Sequence, residues 1–237
     1  MMYGIKYRGL HSYKDLGITI ASRTIGSPGK NKYEVSIPGS NHTFDFSSLY
    51  GRQTYSERQL TYTFNVIDFN RPTKISMNVM RQKLLNTYMA NSEKEQLYDD
   101  AFPGFYFNAE IIEGPTFTER GGKGLATITF NAYPFLISNE PEGNDIWDIF
   151  NFETDIAQDV TFEVNGWRSI TLHNVGGEVA NPSIIASSNF QIELDGVRYT
   201  LPAGTTQSLD FELSLGENHL TLIGNGRIEF RWHKEVL

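Results

Sequence analysis

Cysteine is absent from all 237 residues, which excludes disulfides, thiolate nucleophiles and thiolate metal ligands. Histidine is scarce: His11, His42, His173, His219 and His233 show no i, i+4 pair or other ligand spacing, so metal catalysis has no ligand set. Charged residues make up only 20%, the formal net charge is −8, and no Lys/Arg cluster exceeds a pair. Tight binding to nucleic acid needs clustered cations against phosphate, so it is disfavoured, and an acidic surface tends to repel DNA. No run of about 18 apolar residues occurs, and the opening MMYGIKYRGL lacks the apolar core of a signal peptide; a soluble chain made in the cytoplasm, without membrane insertion, is expected.

Motifs that carry chemistry are missing as well. No G-x-S-x-G elbow occurs, and GGKG lacks the upstream glycine and following hydroxyl residue of a phosphate loop, so it reads as a hairpin tip. Asp99 and Asp100 face opposite ways on an extended segment and read as a solvated turn before Pro103, not as a paired-carboxylate site. Asn41-His42-Thr43 fits a glycosylation sequon, which has meaning only in a secreted chain. Glu140, Glu142, Asn144 and Asp145 lack calcium-loop spacing. No catalytic, metal or cofactor-binding site is expected, no cofactor is implied, and the chain is not expected to be an enzyme.

What the chain does have is aromatic residues, 13% of the total with 12 Tyr and 16 Phe, the profile of β-rich proteins with extensive interfaces. In LTYTFNV, Leu60, Tyr62, Phe64 and Val66 alternate with Thr61, Thr63 and Asn65, which is the period of a half-buried strand. RPT then breaks the run, Thr73 is placed to cap a helix, and Met77, Met80, Leu84 and Tyr88 form one apolar stripe. Arg81 interrupts that stripe; it either snorkels outward or meets a carboxylate on a neighbouring surface. FYFNAEII and LATITFNAYPFLI read as two further strands joined by GPTFTERGGKG, an arm too glycine-rich to pack and therefore expected to be mobile until a neighbour orders it.

Residues 1 to 59 read as short strands (IKY, ITI, YEVSI, FDF) that complete the sheet system begun at Leu60. NEPEGND reads as a linker, and from Val160 eight short strands follow: TFEV, SITLHN, SIIAS, FQIEL, VRYTL, SLDFEL, HLTLI and RIEFRW. Asp195-Gly196 between two alternating runs predicts a type I′ turn, and GEN and GNG supply the next turns. The expected fold is mainly β. A sandwich or barrel-like domain with one helix and a long β-hairpin arm covers 1–138, a linker 139–145, and a jelly-roll-like β-sandwich 146–237. On that sandwich Trp167, Tyr199 and Trp232 are candidates for stacking a sugar ring, the alternative being core anchors.

Several stretches carry a family resemblance. GIKYRGLHSYKDLGI, SIPGSNHTFDFSSLYGRQTYSERQLTYTF, QLYDDAFPGFYFNAEI and ATITFNAYPFLIS resemble, in that order, the amino-terminal domain of the distal tail proteins of long-tailed phages and prophages of Gram-positive bacteria. IFNFETDIAQ, ITLHNVGGEVANPSIIASS and YTLPAGTTQSLDFELSLGENHLTLIGNGRIEFRWHKE resemble their carboxyl-terminal galectin-like domain. The resemblance implies a virion structural protein at the tail tip: a homo-hexameric ring between the tail tube protein and the tail-tip hub protein, with baseplate or receptor-binding proteins further out. DNA would pass through its channel without specific binding. Arg81, Glu119, Arg120, Gly121, Gly122, Lys123 and Gly124 are the candidate subunit contacts. The alternatives are a carbohydrate-binding adhesin or receptor-binding module and, with no site to support it, a cell-wall hydrolase.

Overall fold

The computed structural model describes residues 3–49, 51–90, 92–120, 123–147 and 150–237, and of Arg120 the backbone. The chain divides into two compact units between Leu136 and Ile137.

The first unit holds β1 (Ile5–Tyr7), β2 (Leu10–His11), β3 (Thr19–Ile25), β4 (Glu34–Ser36), β5 (Thr43–Asp45), β6 (Arg58–Val66), α1 (Lys74–Tyr88), β7 (Glu95–Asp99), β8 (Phe105–Ile111), β9 (Thr116–Arg120) and most of β10 (Lys123–Pro141). Its main sheet runs β2-β1-β7-β8-β10-β6-β3, with β9 also on β10. The expected alternation in β6 holds: Leu60, Tyr62, Phe64 and Val66 are all buried, and β6 pairs with β10 from Gly124↔Val66 to Ala132↔Arg58. Thr63 and Thr127, opposite each other on the outer face, share a hydroxyl hydrogen bond of 3.1 Å, the cross-strand pair that suits a wet face.

Thr73 caps α1 as its position predicts: its hydroxyl accepts from Ser76 N at 3.1 Å, and Ser76 Oγ accepts from Thr73 N at 3.3 Å. This reciprocal pair satisfies two amides that the helix itself cannot. Met77, Leu84 and Tyr88 bury their stripe against the sheet, while Met80 is half-buried. The core they meet is aromatic. Tyr7 stands edge-on to Tyr88 (5.5 Å) and to Phe130 (5.1 Å), an arrangement that aligns ring edges with ring faces. The hydroxyls remain satisfied there, Tyr7 donating to Ala109 O at 3.1 Å and Tyr88 to Leu10 O at 3.2 Å. Burial pushes the Tyr88 hydroxyl far above its ordinary pKa, so it stays a donor.

Residues 1 to 59 do not all join this sheet. β4 and β5 form a separate two-stranded ribbon. The glycine-rich arm also departs from expectation, since it packs. Lys123 to Thr127 of β10 pair with Arg120 to Thr116 of β9, and a Cβ on Gly124 would lie 2.3 Å from Phe117 Cζ and 3.2 Å from Met77 Sδ. Glycine here admits an aromatic ring onto α1 and is not a sign of looseness. Gly121 and Gly122 lie outside the described residues.

In the second unit β11 (Thr161–Asn174), β12 (Ser183–Ala186), β13 (Phe190–Leu194), β14 (Val197–Leu201), β15 (Gly204–Thr206), β16 (Gly216–Arg231) and β17 (His233–Val236) build the sandwich. The sheet order is β14-β13-β16-β12-β15, with β11 along the other side of β16 and β17 on the end of β10. Asp195 (φ 52°) and Gly196 (φ 78°) form the expected I′ turn, closing Leu194↔Val197. The expected turn at GNG is absent. β16 runs straight through it, paired with β11 from Gly216 to Glu229, and changes its other partner there from β13 (Phe190↔Gly224) to β12 (Ala186↔Ile228). Gly224 (φ 156°) and Gly226 (φ 129°) take conformations that side chains disfavour, and a Cβ on Gly224 would meet Phe190 at 2.7 Å. The glycines therefore let one continuous sheet fold over a single core that includes Phe162, Phe190, Leu222 and Phe230.

TFEV and SITLHN are likewise one strand, as are HLTLI and most of RIEFRW. SLDFEL does not form a strand: Leu213 makes the isolated bridge Ala180↔Leu213, and side-chain amides also reach its carbonyls, Asn181 donating to Phe211 O and Asn174 to Leu213 O, both at 3.1 Å. The NEPEGND stretch, acidic and turn-like by composition, begins as the end of β10. It is anchored by Glu142 N donating to Trp232 O at 2.8 Å and by Gly143, whose Cβ would lie 2.7 Å from Val160.

Candidate functional site

The β4–β5 ribbon is the feature with the strongest call on a partner. Its register is Glu34↔Asp45, Val35↔Phe44 and Ser36↔Thr43, so successive side chains divide between two faces. One face carries Tyr33, Val35 and Ile37 opposite Phe44 and Phe46; these are between 44% and 62% exposed. The other carries Glu34, Ser36, Thr43 and Asp45. Asp45 pairs with Lys32 and accepts from Ser47 N at 2.8 Å, contacts that hold its carboxyl well below the usual carboxylate range. Five neighbouring apolar side chains on a two-stranded ribbon make a surface that water does not favour and that an isolated hairpin cannot bury. The alternation of YEVSI and FDF announces the strands. That their apolar face stays about half exposed among the described residues is a tertiary fact with no local signal.

The candidates chosen from sequence gather elsewhere. Among the described residues Arg81 meets no carboxylate, and it does not snorkel outward: its guanidinium lies 4.3 Å over the Phe117 ring, a cation–π contact. Glu119 pairs with Lys74 at 2.9 Å, Lys123 is exposed and Gly124 is buried under Phe117. Arg81, Glu119 and Gly124 are thus joined within one chain, between the arm and α1. The Arg120 side chain, Gly121 and Gly122 fall outside the described residues.

The three sugar-stacking candidates separate. Trp232 is 4% exposed in the core, and Tyr199 packs edge-on against Phe211 at 5.1 Å and donates to Asp210 O at 3.0 Å. Both are core anchors, because their positions in the alternation put them inside or on its margin. Trp167 is 70% exposed.

Asp99 and Asp100 are not a solvated turn. Asp99 is buried against Arg23 and Tyr62, and Asp100 accepts from Gly4 N at 2.9 Å and lies 3.1 Å from His11 Nε2. His11 Nδ1 takes two backbone amides, Tyr13 N and Lys14 N, each at 3.1 Å, so Nε2 bears the proton and donates to Asp100. Among the described residues no group of three or more His, Asp or Glu is arranged to hold a metal ion, and no helix is long and apolar enough to cross a membrane. A groove of about 560 Å³ between β1, β7 and β8 is lined by Lys6, Arg8, Lys94 and Tyr98. Two of its cations are already paired, Arg8 with Glu95 at 3.2 Å and Lys94 with Glu57.

No protein-family model and no curated sequence matches the chain. Among solved structures it is similar to the Dit protein (gp 19.1) of SPP1, described as a paradigm of the hub adsorption apparatus in phages infecting Gram-positive hosts. That match has a TM-score of 0.69 at 14% identity and covers 100% of both chains. It is also similar to a chain of the phage p2 baseplate in its activated conformation, with a TM-score of 0.49 at 10% identity, over 98% of this chain and 97% of that one. From end to end, then, this chain has the fold of a Gram-positive phage Dit protein.

Proposed function

We propose that the protein is a structural component of a phage or prophage tail tip. In this reading six copies form a ring that joins the tail tube to the tip hub, with baseplate or receptor-binding proteins attached further out. The observation that carries it is the likeness in fold to the SPP1 Dit protein over the whole length of both chains. The ribbon supports the ring. A cyclic assembly uses two different surfaces per subunit, one meeting the other on the next copy. The apolar face of β4–β5 is one such surface. On α1, Ile75 (79% exposed) and Val79 (45%) stand one turn apart and outward, and they are the second.

The protein's role is mechanical and not catalytic. His11, for one, has both ring nitrogens occupied, by Asp100 and by two backbone amides. With six copies at −8 each, carboxylates lining the channel repel phosphates and let DNA slide; a positive lumen potential in an assembled ring would sink that part. Light scattering over a concentration series with negative-stain imaging tests the whole. Six-membered rings with an open centre are expected. Compact particles of any size without a channel would overturn the reading.

A further inference from the structure

We infer that the outer face of the β14-β13-β16-β11 half-sheet is a binding site for a neutral oligosaccharide, with Trp167 as its stacking platform. The register places the face in rows. Gln191, Ile223 and Trp167 lie side by side across three strands, and in the next row Arg198, Glu193 and Thr221 do the same. In β13 and β16 the flanking residues Ile192, Leu194 and Leu222 are buried, so these rows point away from the core there, and the register places Trp167 of β11 and Arg198 of β14 on the same face.

Trp167 is 70% exposed, and directly opposite it Ile223 is half-buried. The pair forms an apolar pad at one end of the face. The rest is polar and supplies both donors and acceptors through Gln191 and Thr221. Glu193 and Arg198, paired at 3.1 Å, cancel each other's charge. A pyranose matches this surface: its C–H face stacks on an indole, and its hydroxyls pair with amides, hydroxyls and the forked guanidinium. From Trp167 to Arg198 the face spans three inter-strand spacings, about 14 Å, room for a short oligosaccharide. The neutrality of the face speaks against anionic polymers. An extended peptide would instead add to the free edge of β11 by backbone pairing, with no use for Gln191 two strands away.

All residues of this site lie in the second unit, whereas the two proposed ring surfaces, on β4–β5 and α1, lie in the first. The test is a glycan array of neutral oligosaccharides ending in glucose, galactose, N-acetylglucosamine or rhamnose, probed with the full chain and with three variants. Binding to at least one neutral glycan is expected, falling about tenfold or more in Trp167→Ala and several-fold in Gln191→Ala, and unchanged in Trp147→Ala, which removes an exposed tryptophan elsewhere. Gln191→Ala keeps Trp167 in place and so guards against a loss caused by misfolding. No binding to any neutral glycan, binding only to anionic ones, or binding that survives both Trp167→Ala and Gln191→Ala would overturn the inference.

Discussion

Arg23 Nη2 donates to the Oδ1 of Asp99 at 2.7 Å, across 76 positions of sequence. Its Nε stands 2.6 Å from Oδ2 with its N–H not aligned on that oxygen, and Tyr62 donates to the same oxygen at 2.9 Å. The Asp99 carboxylate is fully buried, whereas the Arg23 side chain is 24% exposed. The pair ties β3, at the edge of the sheet, to the last residue of β7, with β8, β10 and β6 lying between them in the sheet order.

Asp99→Asn keeps the shape of that carboxylate but removes its charge, leaving Arg23 with a weaker acceptor in a poorly hydrated place. The partial exposure of Arg23 tempers the loss, which should be about 2–3 kcal/mol in urea unfolding. Asp100→Asn, at a more exposed carboxyl, should cost less. Equal losses from the two would show that Asp99 is no special anchor.

The arm packs on α1 because Gly124 has no Cβ. Gly124→Ala should displace Phe117 from beneath Arg81 and cost about 1–3 kcal/mol. Phe117→Leu replaces the ring with a smaller side chain, so the double variant should lose less than the sum of the two single losses. Strict additivity in denaturant unfolding would mean that the residues do not press on each other.

Burial raises the pKa of Glu142, opposed in part by Lys234. A carboxyl whose folded pKa lies above its unfolded value binds protons more readily in the native state, so its burial costs nothing when both states are protonated. Stability then falls as pH rises through the folded value. Glu142→Gln should therefore raise the melting temperature at pH values above about 7, and the difference should vanish near pH 4, close to the unfolded value. A gain that is the same at both ends would contradict the assignment.

Local features were legible in the sequence. Thr73 capped its helix, Leu60 to Val66 kept their alternation, and Asp195-Gly196 turned as that dipeptide does. What depended on distant partners was not. GNG carries the same local signal whether it makes a turn or, as at Gly224 and Gly226, lets a strand change neighbours under Phe190. A glycine-rich arm looks loose until Phe117 is known to lie on Gly124. Asp99 looks solvated until Arg23 arrives from β3. The candidate interface shows the same division: the ribbon's strands could be read from alternation, but that their apolar face stays exposed among the described residues could not.

The central claim is that this ribbon joins one copy to the next. The measurement is the mass of the intact protein in solution by light scattering, compared with Val35→Asp and Phe44→Asp, both at exposed positions where stability should move by no more than about 0.5 kcal/mol. The account predicts particles of six times the chain mass for the natural sequence and folded single chains for both variants. A natural chain that stays single at every concentration, or variants that assemble as well as it does, would contradict it.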